Sequence, residues 1–267
     1  MINEYLRIIR LTSAIILFTY ASWSDWKYRE IDDKIWMIMT LIGLISIIIE
    51  LTTTHINSYE LILMIISIAL SFTIGFTLFY LDLFGGADSK ALMALSILIP
   101  TSRHIGLRNY NSHPIIPLAM LNNSIILSLS VSILILIKNL IDIIEGEKIF
   151  EEIENINLLK KILIIITSYR IPIEKLRSKK FIYPIEEISI HNGKIKRQVK
   201  IRIGISFGEE ELEKILEYAD KGLISGKIWV TPGLPMIIFI FLGFIISVIF
   251  GDLIFMLILW IRVMISS

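Results

Sequence analysis

The chain has 267 residues, 55% of them hydrophobic, no cysteine and a formal net charge of +1; its mean hydropathy is +0.73. The lack of cysteine excludes disulfides, thiol catalysis and Cys-ligated zinc or iron–sulfur sites, and the near-neutral charge offers no global basic field for nucleic acid. Soluble chains are usually about 45–50% apolar; here the excess lies in long Ile/Leu runs, which point to membrane spans.

A helix needs about 20 apolar residues to cross the hydrocarbon core. Leu11 to Ser24 is free of charge, and with Arg7 and Arg10 reaching outward on their apolar stems a first span runs from about Tyr5 to Ser24. It has no small-residue cleavage site behind a short apolar core and reads as a retained anchor. Charges gather from Asp25 to Lys34; Ile35 to Ile49 then forms a second span that ends at Glu50. After the polar loop Thr52 to Glu60, Leu61 to Leu81 is the cleanest span. Asp82-Leu-Phe-Gly-Gly-Ala-Asp-Ser-Lys90 interrupts it. The fourth, Ala91 to Ser102, is short and holds Pro100, so it is tilted, kinked or sheltered by neighbours. His104 to His113 reads as loop, and Pro114 to Ile137 as a fifth span whose Asn122 and Asn123 face other helices. The last span is Ile228 to Gly251, and Leu253 to Ile261 extends it or lies in the interface.

Between the fifth and last spans the charge pattern changes. Of 26 Lys+Arg, 16 lie between Asn139 and Ile228, together with 15 Asp+Glu. Phe150 to Arg170 is partly helical by pattern, with Ile173 to Arg177 as an extension. Asn192-Gly193 between β-branched alternating runs is a hairpin signal, and Ser206-Phe-Gly-Glu209 resembles a capping box that opens a helix through Ala219. The expected architecture is an all-α polytopic membrane protein of about six transmembrane helices with an α+β cytosolic insertion domain. Its parts are residues 1–138 (helices one to five and both candidate aspartates), 139–227 (the insertion) and 228–267 (last helix and tail).

Asp25 and Asp88 are separated by two complete spans and so lie on the same membrane face. Lys27, Arg29 and Lys34 surround the first, whereas Thr52 to Glu60 has no Lys or Arg, so the positive-inside rule places both on the cytosolic side. A carboxylate kept near a bilayer is costly and by default faces a polar cavity. Two carboxylates at one depth can share a proton, one remaining an acid while the other activates water. The plainer reading is that each merely ends a helix at the headgroups, and topology by itself leaves both open. If Asp25 closes one helix and Asp88 caps the next, the dipoles favour Asp25 as acid and Asp88 as base.

The local motifs add to this. Gly85-Gly86-Ala87-Asp88-Ser89-Lys90-Ala91-Leu92 resembles the Gly-x-Gly-Asp signature of membrane aspartic peptidases. Its form is nearest to that of the archaeal preflagellin and prepilin peptidases, relatives of the bacterial type IV prepilin peptidases. Ser24-Asp25-Trp26-Lys27-Tyr28-Arg29-Glu30-Ile31 resembles that family's first aspartate motif, and Trp229-Val-Thr-Pro-Gly-Leu-Pro235 its last helix entry. Ala87 stands where the signature has its second glycine, with some loss of freedom at positive φ.

The resemblance implies Asp25 and Asp88 as the catalytic pair, with Gly85, Gly86, Ala87 and Lys90 along the substrate strand. It implies a multi-pass cell-membrane protein that removes basic class III (type IV pilin-like) leaders from preflagellin or prepilin precursors at the cytosolic face. Membrane lipid and those precursors are then its partners, with no nucleic acid, metal or cofactor. Bifunctional bacterial relatives carry an additional methyltransferase region with paired cysteines, so no methylation is expected here. Competing readings are a presenilin-type protease, a transporter or proton-coupled channel with the aspartates as relay groups, and a membrane scaffold. Asp82 is read as a boundary carboxylate, Glu50 and Asp252 as solvated helix ends, Trp23, Trp26, Trp229 and Trp260 as interface anchors. Glu209 to Glu211 with Glu213 form a solvated face that could attract a basic leader. His55, His104, His113 and His191 lack metal-binding spacing.

Overall fold

The computed structural model of the chain describes residues 2–105, 113–151, 153, 156–191, 194–199 and 209–266. It divides into two compact units, residues 1–128 with 235–267, and residues 129–234.

The first unit is helical. Charge-free runs give α1 (Ile2–Tyr28), α2 (Lys34–Thr53) and α3 (Ser58–Tyr80), followed by the 13-residue α4 (Gly86–Leu98). Then come the first half of α5 (Ile116–Ile144), whose residues from Leu129 on belong to the second unit, and, from the chain's end, α8 (Met236–Ile249) and α9 (Leu253–Ser266). Arg29, at φ 57°, ends α1 in the left-handed region. The Asn57 side chain accepts the Glu60 N–H to start α3. Among the described residues four helices are long and apolar enough to cross a membrane, and α8 with α9, bent by 49°, makes a fifth if read as one span. The expected fourth span is α4, at about 20 Å too short for a hydrocarbon core of about 30 Å.

The core of this unit runs through α4. Ala91, Leu92, Leu95 and Leu98 are buried against Phe18 and Ala14 of α1, Met39 of α2 and Phe244 of α8. Small residues permit the close approach. A Cβ on Gly43 would stand 2.7 Å from the Leu98 nitrogen. On Gly243 it would stand 2.6 Å from the Met120 carbonyl oxygen and 2.7 Å from the Ser124 nitrogen. Buried polar groups fasten the helix ends. Ser67 Oγ donates to the Pro100 carbonyl at 2.7 Å. Asn123 donates to Ser247 Oγ and the Gly251 carbonyl, both at 2.9 Å, and accepts the Leu253 N–H at 3.0 Å.

Two carboxylates read as solvated are buried. Glu50 pairs with Arg10 at 2.9 Å and with His104 Nε2 at 3.2 Å. Asp252 caps α9 by accepting the Ile254 and Phe255 N–H groups at 2.9 and 3.1 Å, and takes the Asn122 amide at 2.8 Å. A run of apolar residues on either side conceals such an interior partner from a one-dimensional reading.

In the second unit, α6 (Leu158–Thr167) covers only part of the helix expected over Phe150 to Arg170. Strands β1 (Tyr169–Pro172), β2 (Ile182–Pro184) and β5 (Lys227–Pro232) form an antiparallel sheet in the order β1-β5-β2. The expected extension at Ile173 is a single 3₁₀ turn. The two strands of the expected hairpin, β3 (Glu186–His191) and β4 (Lys194–Val199), pair antiparallel, while Asn192 and Gly193 between them lie outside the described residues. Helix α7 (Glu209–Asp220) follows, while the capping-box residues Ser206 to Gly208 lie outside the described residues.

The last span does not begin at Ile228, because β5 occupies that stretch. Its alternation is that of a strand covered on both faces: Ile228 and Val230 pack with Ile215 of α7, and Trp229 with Ile149 and Ile164. Trp229 is therefore no interface anchor; its ring stacks on Phe150 at 5.3 Å and its Nε1–H donates to the Ile149 carbonyl. Trp23, Trp26 and Trp260 are exposed.

Replacing Gly243 by valine is expected to lower stability by about 1–3 kcal/mol through overpacking of α8 on α5. The check is the unfolding midpoint of the purified protein in detergent, which should fall relative to the parent chain.

Candidate active site

Three helix ends bring the site together: the last turn of α1 and the first turns of α4 and α8. Asp25 lies in the last turn of α1 and is 9% exposed. Its Oδ2 accepts the backbone N–H of Ile237, the second residue of α8, at 3.2 Å. Its Oδ1 is 4.0 Å from an Arg29 guanidinium nitrogen. The neighbouring Ser24 Oγ donates to the Glu30 carbonyl at 2.6 Å and folds the chain back after α1. Ser22 Oγ reaches the Ile237 carbonyl at 3.5 Å.

Asp88 is the third residue of α4, not its cap. The cap is Gly85, and the Asp88 carboxylate accepts the Gly85 N–H at 3.0 Å. Asp88 lies within electrostatic reach of both Asp25 and Arg29. The structure thus brings together the two aspartates singled out by sequence and adds Arg29 and the Ile237 N–H.

The helix ends do not give the two carboxylates the unequal surroundings expected from sequence. Asp25 ends one helix, but its carboxylate is held by the amide-bearing end of another, as Asp88 is by its own. Both carboxylates face a positive dipole end.

Gly85 has φ −63°, and Gly86 and Ala87 belong to α4, so none of the three uses the left-handed region and alanine at 87 costs the loop nothing. A Cβ at Gly86 would meet only Phe79 at 3.7 Å, an ordinary contact. Lys90 is turned to the connection between α1 and α2, where its ammonium binds Asp33 Oδ1 at 2.6 Å. Asp82 is exposed in the preceding turn with φ 58°.

Sequence reasoning missed Ile237, whose part is played by a backbone group that no motif advertises. It also missed the Arg10–Glu50–His104 cluster. Arg10 precedes Asp25 by four turns of α1, about 22 Å of helix rise, so that cluster serves the opposite end of the unit.

Residues 12–137, which contain both aspartates, match the type IV leader peptidase family profile. Residues 160–253 match the profile described as archaeal peptidase A24 C-terminus, type II. The preflagellin peptidase of Methanococcus voltae is 29% identical over 246 residues, covering 90% of this chain and 94% of that protein. The preflagellin peptidase of Methanocaldococcus jannaschii is 28% identical over 244 residues, covering 87% and 89% respectively.

The Asp88–Gly85 bond generates a stability prediction. Asp88→Ala removes the acceptor of a partly buried N–H and should cost about 1 kcal/mol. Asp88→Asn keeps an acceptor oxygen and should stay within about 0.5 kcal/mol of the parent. Unfolding midpoints of the two variants, measured side by side, check the difference.

Proposed function

The chain belongs to the type IV leader peptidase family, and on that premise we propose that it is a membrane aspartic endopeptidase that cuts class III leaders from preflagellin-type precursors at the cytosolic face. That it is a membrane peptidase follows from the family and from its helices of crossing length. The aspartic mechanism rests above all on one observation: Asp25 and Asp88, from separate helices, lie within electrostatic reach of each other, each held by a backbone N–H at the start of a helix.

In this reading the pair holds one proton between them. The ionised carboxylate takes a proton from water as its oxygen attacks the scissile carbonyl carbon. The protonated one gives its proton to the carbonyl oxygen, forming a tetrahedral diol. On collapse of the diol one of its hydroxyls gives a proton to the ionised carboxylate, the C–N bond breaks and the amine leaves with the proton of the other carboxyl, so the pair again holds one proton. Arg29 compensates the remaining negative charge. The face of Gly86, clear of any side chain of its own, gives an extended substrate strand access to Asp88. Because a helix presents no free backbone to such a site, the precursor's apolar segment must end or unwind there.

The cytosolic assignment rests on Lys27, Arg29 and Lys34 flanking the Asp25 turn, against a Thr52–Glu60 connection without Lys or Arg. Two helices of crossing length, α2 and α3, lie between Asp25 and Asp88 in sequence, so both aspartates fall on that side. A preflagellin-type substrate is proposed from the relatives' activity and from the basic character of class III leaders.

Asp25→Asn and Asp88→Asn should each lower cleavage by about 10²–10⁴-fold or more while leaving the fold intact. Incubation of purified variants with a preflagellin precursor, followed by mass analysis of the products, reads this directly. A single shared proton also requires a bell-shaped pH–rate profile. Activity falls on the acid side as both groups become protonated and on the basic side as both ionise. A rate that rises monotonically with pH would contradict the mechanism.

A further inference from the structure

We infer that α6 is an interfacial helix whose outer face lies on an anionic lipid surface. This goes beyond the catalytic reading and does not depend on it. At about 100° per residue, Leu158, Leu159, Ile162 and Leu163 fall on one side of α6, and they are 73, 72, 45 and 49% exposed. The opposite side is already used: Ile164 is fully buried with Ile149 and Trp229. The outward face is thus the apolar one. Lys160 and Lys161 flank it, the composition of a helix seated at the boundary between headgroups and acyl chains.

The depth of α6 follows from its fastening to α5. Asn139 is fully buried, and its amide donates to the carbonyls of Ile165 at 2.8 Å and Ser168 at 2.7 Å, where α6 ends. Lys138 Nζ stands over the Tyr169 ring at 5.5 Å, just beyond α6. Lys138 is also the first charge after the charge-free run Pro114 to Ile137, and α5 is one of the helices of crossing length. The bolt between the two helices therefore sits where α5 leaves the hydrocarbon, and it delivers the apolar face of α6 to headgroup level. The flanking lysines favour anionic headgroups and would repel a basic leader, so lipid suits this face better than precursor does.

The chain contains no cysteine, so single labels are clean. Leu159→Cys, Leu163→Cys and, as control, the exposed Ser178→Cys would carry an environment-sensitive fluorophore in the full-length protein. The protein is held in nanodiscs of phosphatidylcholine and phosphatidylglycerol that contain a lipid spin-labelled near its carbonyls. Labels at 159 and 163 should emit at shorter wavelength and lose fluorescence to the quencher, while the label at 178 should do neither. Labels at 159 and 163 that escape quenching as the one at 178 does would overturn the inference. So would shielding that appears only on adding precursor, or only through contact between two copies. The readout involves no cleavage, so Asp25→Asn in the same background should leave the quenching unchanged whatever it does to activity.

Discussion

An α-helix rises 1.5 Å per residue, so the 13 residues of α4 reach about 20 Å and cannot carry the chain across a hydrocarbon core of about 30 Å. Much of the first unit is arranged around that shortfall. Non-helical backbone at such depth must be sheltered by protein and supplied with polar partners. Beyond α4, Ile99 and Thr101 are buried, Pro100 hands its carbonyl to Ser67, and Thr101 bonds His104 at 2.8 Å. His104 in turn meets Glu50, which is also held by Arg10. The ionic cluster thus provides the polar surroundings that let a short helix stop inside the fold. The other end of the same short helix is what places Asp88 at the site.

The buried acids of this unit divide by how fully they are compensated. Glu50 is held by the Arg10 guanidinium at 2.9 Å and by His104 Nε2 at 3.2 Å. Asp252 accepts two amides of its own helix and one from Asn122. Both are saturated, as carboxylates that fix a structure must be. Asp25 and Asp88 each accept one backbone N–H and lie near one guanidinium, 4.0 Å from Asp25, with each other's charge close by. Two anions beside one cation would leave an excess of negative charge, which the single shared proton of the proposed mechanism offsets. That difference in saturation sets the proposed pair apart from the acids that fix the structure.

Charge-free runs made the long helices legible, and the β-branched runs on either side of Asn-Gly made the β3/β4 pair legible, because each signal is local. Hydropathy records which residues avoid water and not what they meet instead. Glu50, Asp252 and Arg10 therefore read as helix-end charges, although all three are interior. Lys227–Pro232 was obscured by a related ambiguity. A strand buried on both faces is a continuous apolar run, and this one is separated from the equally apolar α8 by Gly233, Leu234 and Pro235 alone. Of the candidate site, the two aspartates are singled out by sequence motifs; the Ile237 amide is not, since a backbone donor has no letter of its own.

The two aspartates stand on helices that do not adjoin in sequence, so their separation is a packing quantity. Gly43 lets the backbones of α2 and α4 touch, and Lys90 ties the first turn of α4 to Asp33. On the other side Ala14, Phe18 and Ala21 set the distance of α1 from α4 and α8, with Phe18 lying 5.7 Å from Phe244 and 6.1 Å from Trp36 between ring centres. Protein interiors are packed tightly enough that one added methylene is felt, and a carboxylate pair shares a proton only at close range. Under the proposed mechanism a larger side chain at Ala14 or Ala21 would therefore act on the chemistry without touching it, by moving Asp25 away from Asp88. The small residues along α1 are in this sense part of the geometry of the pair.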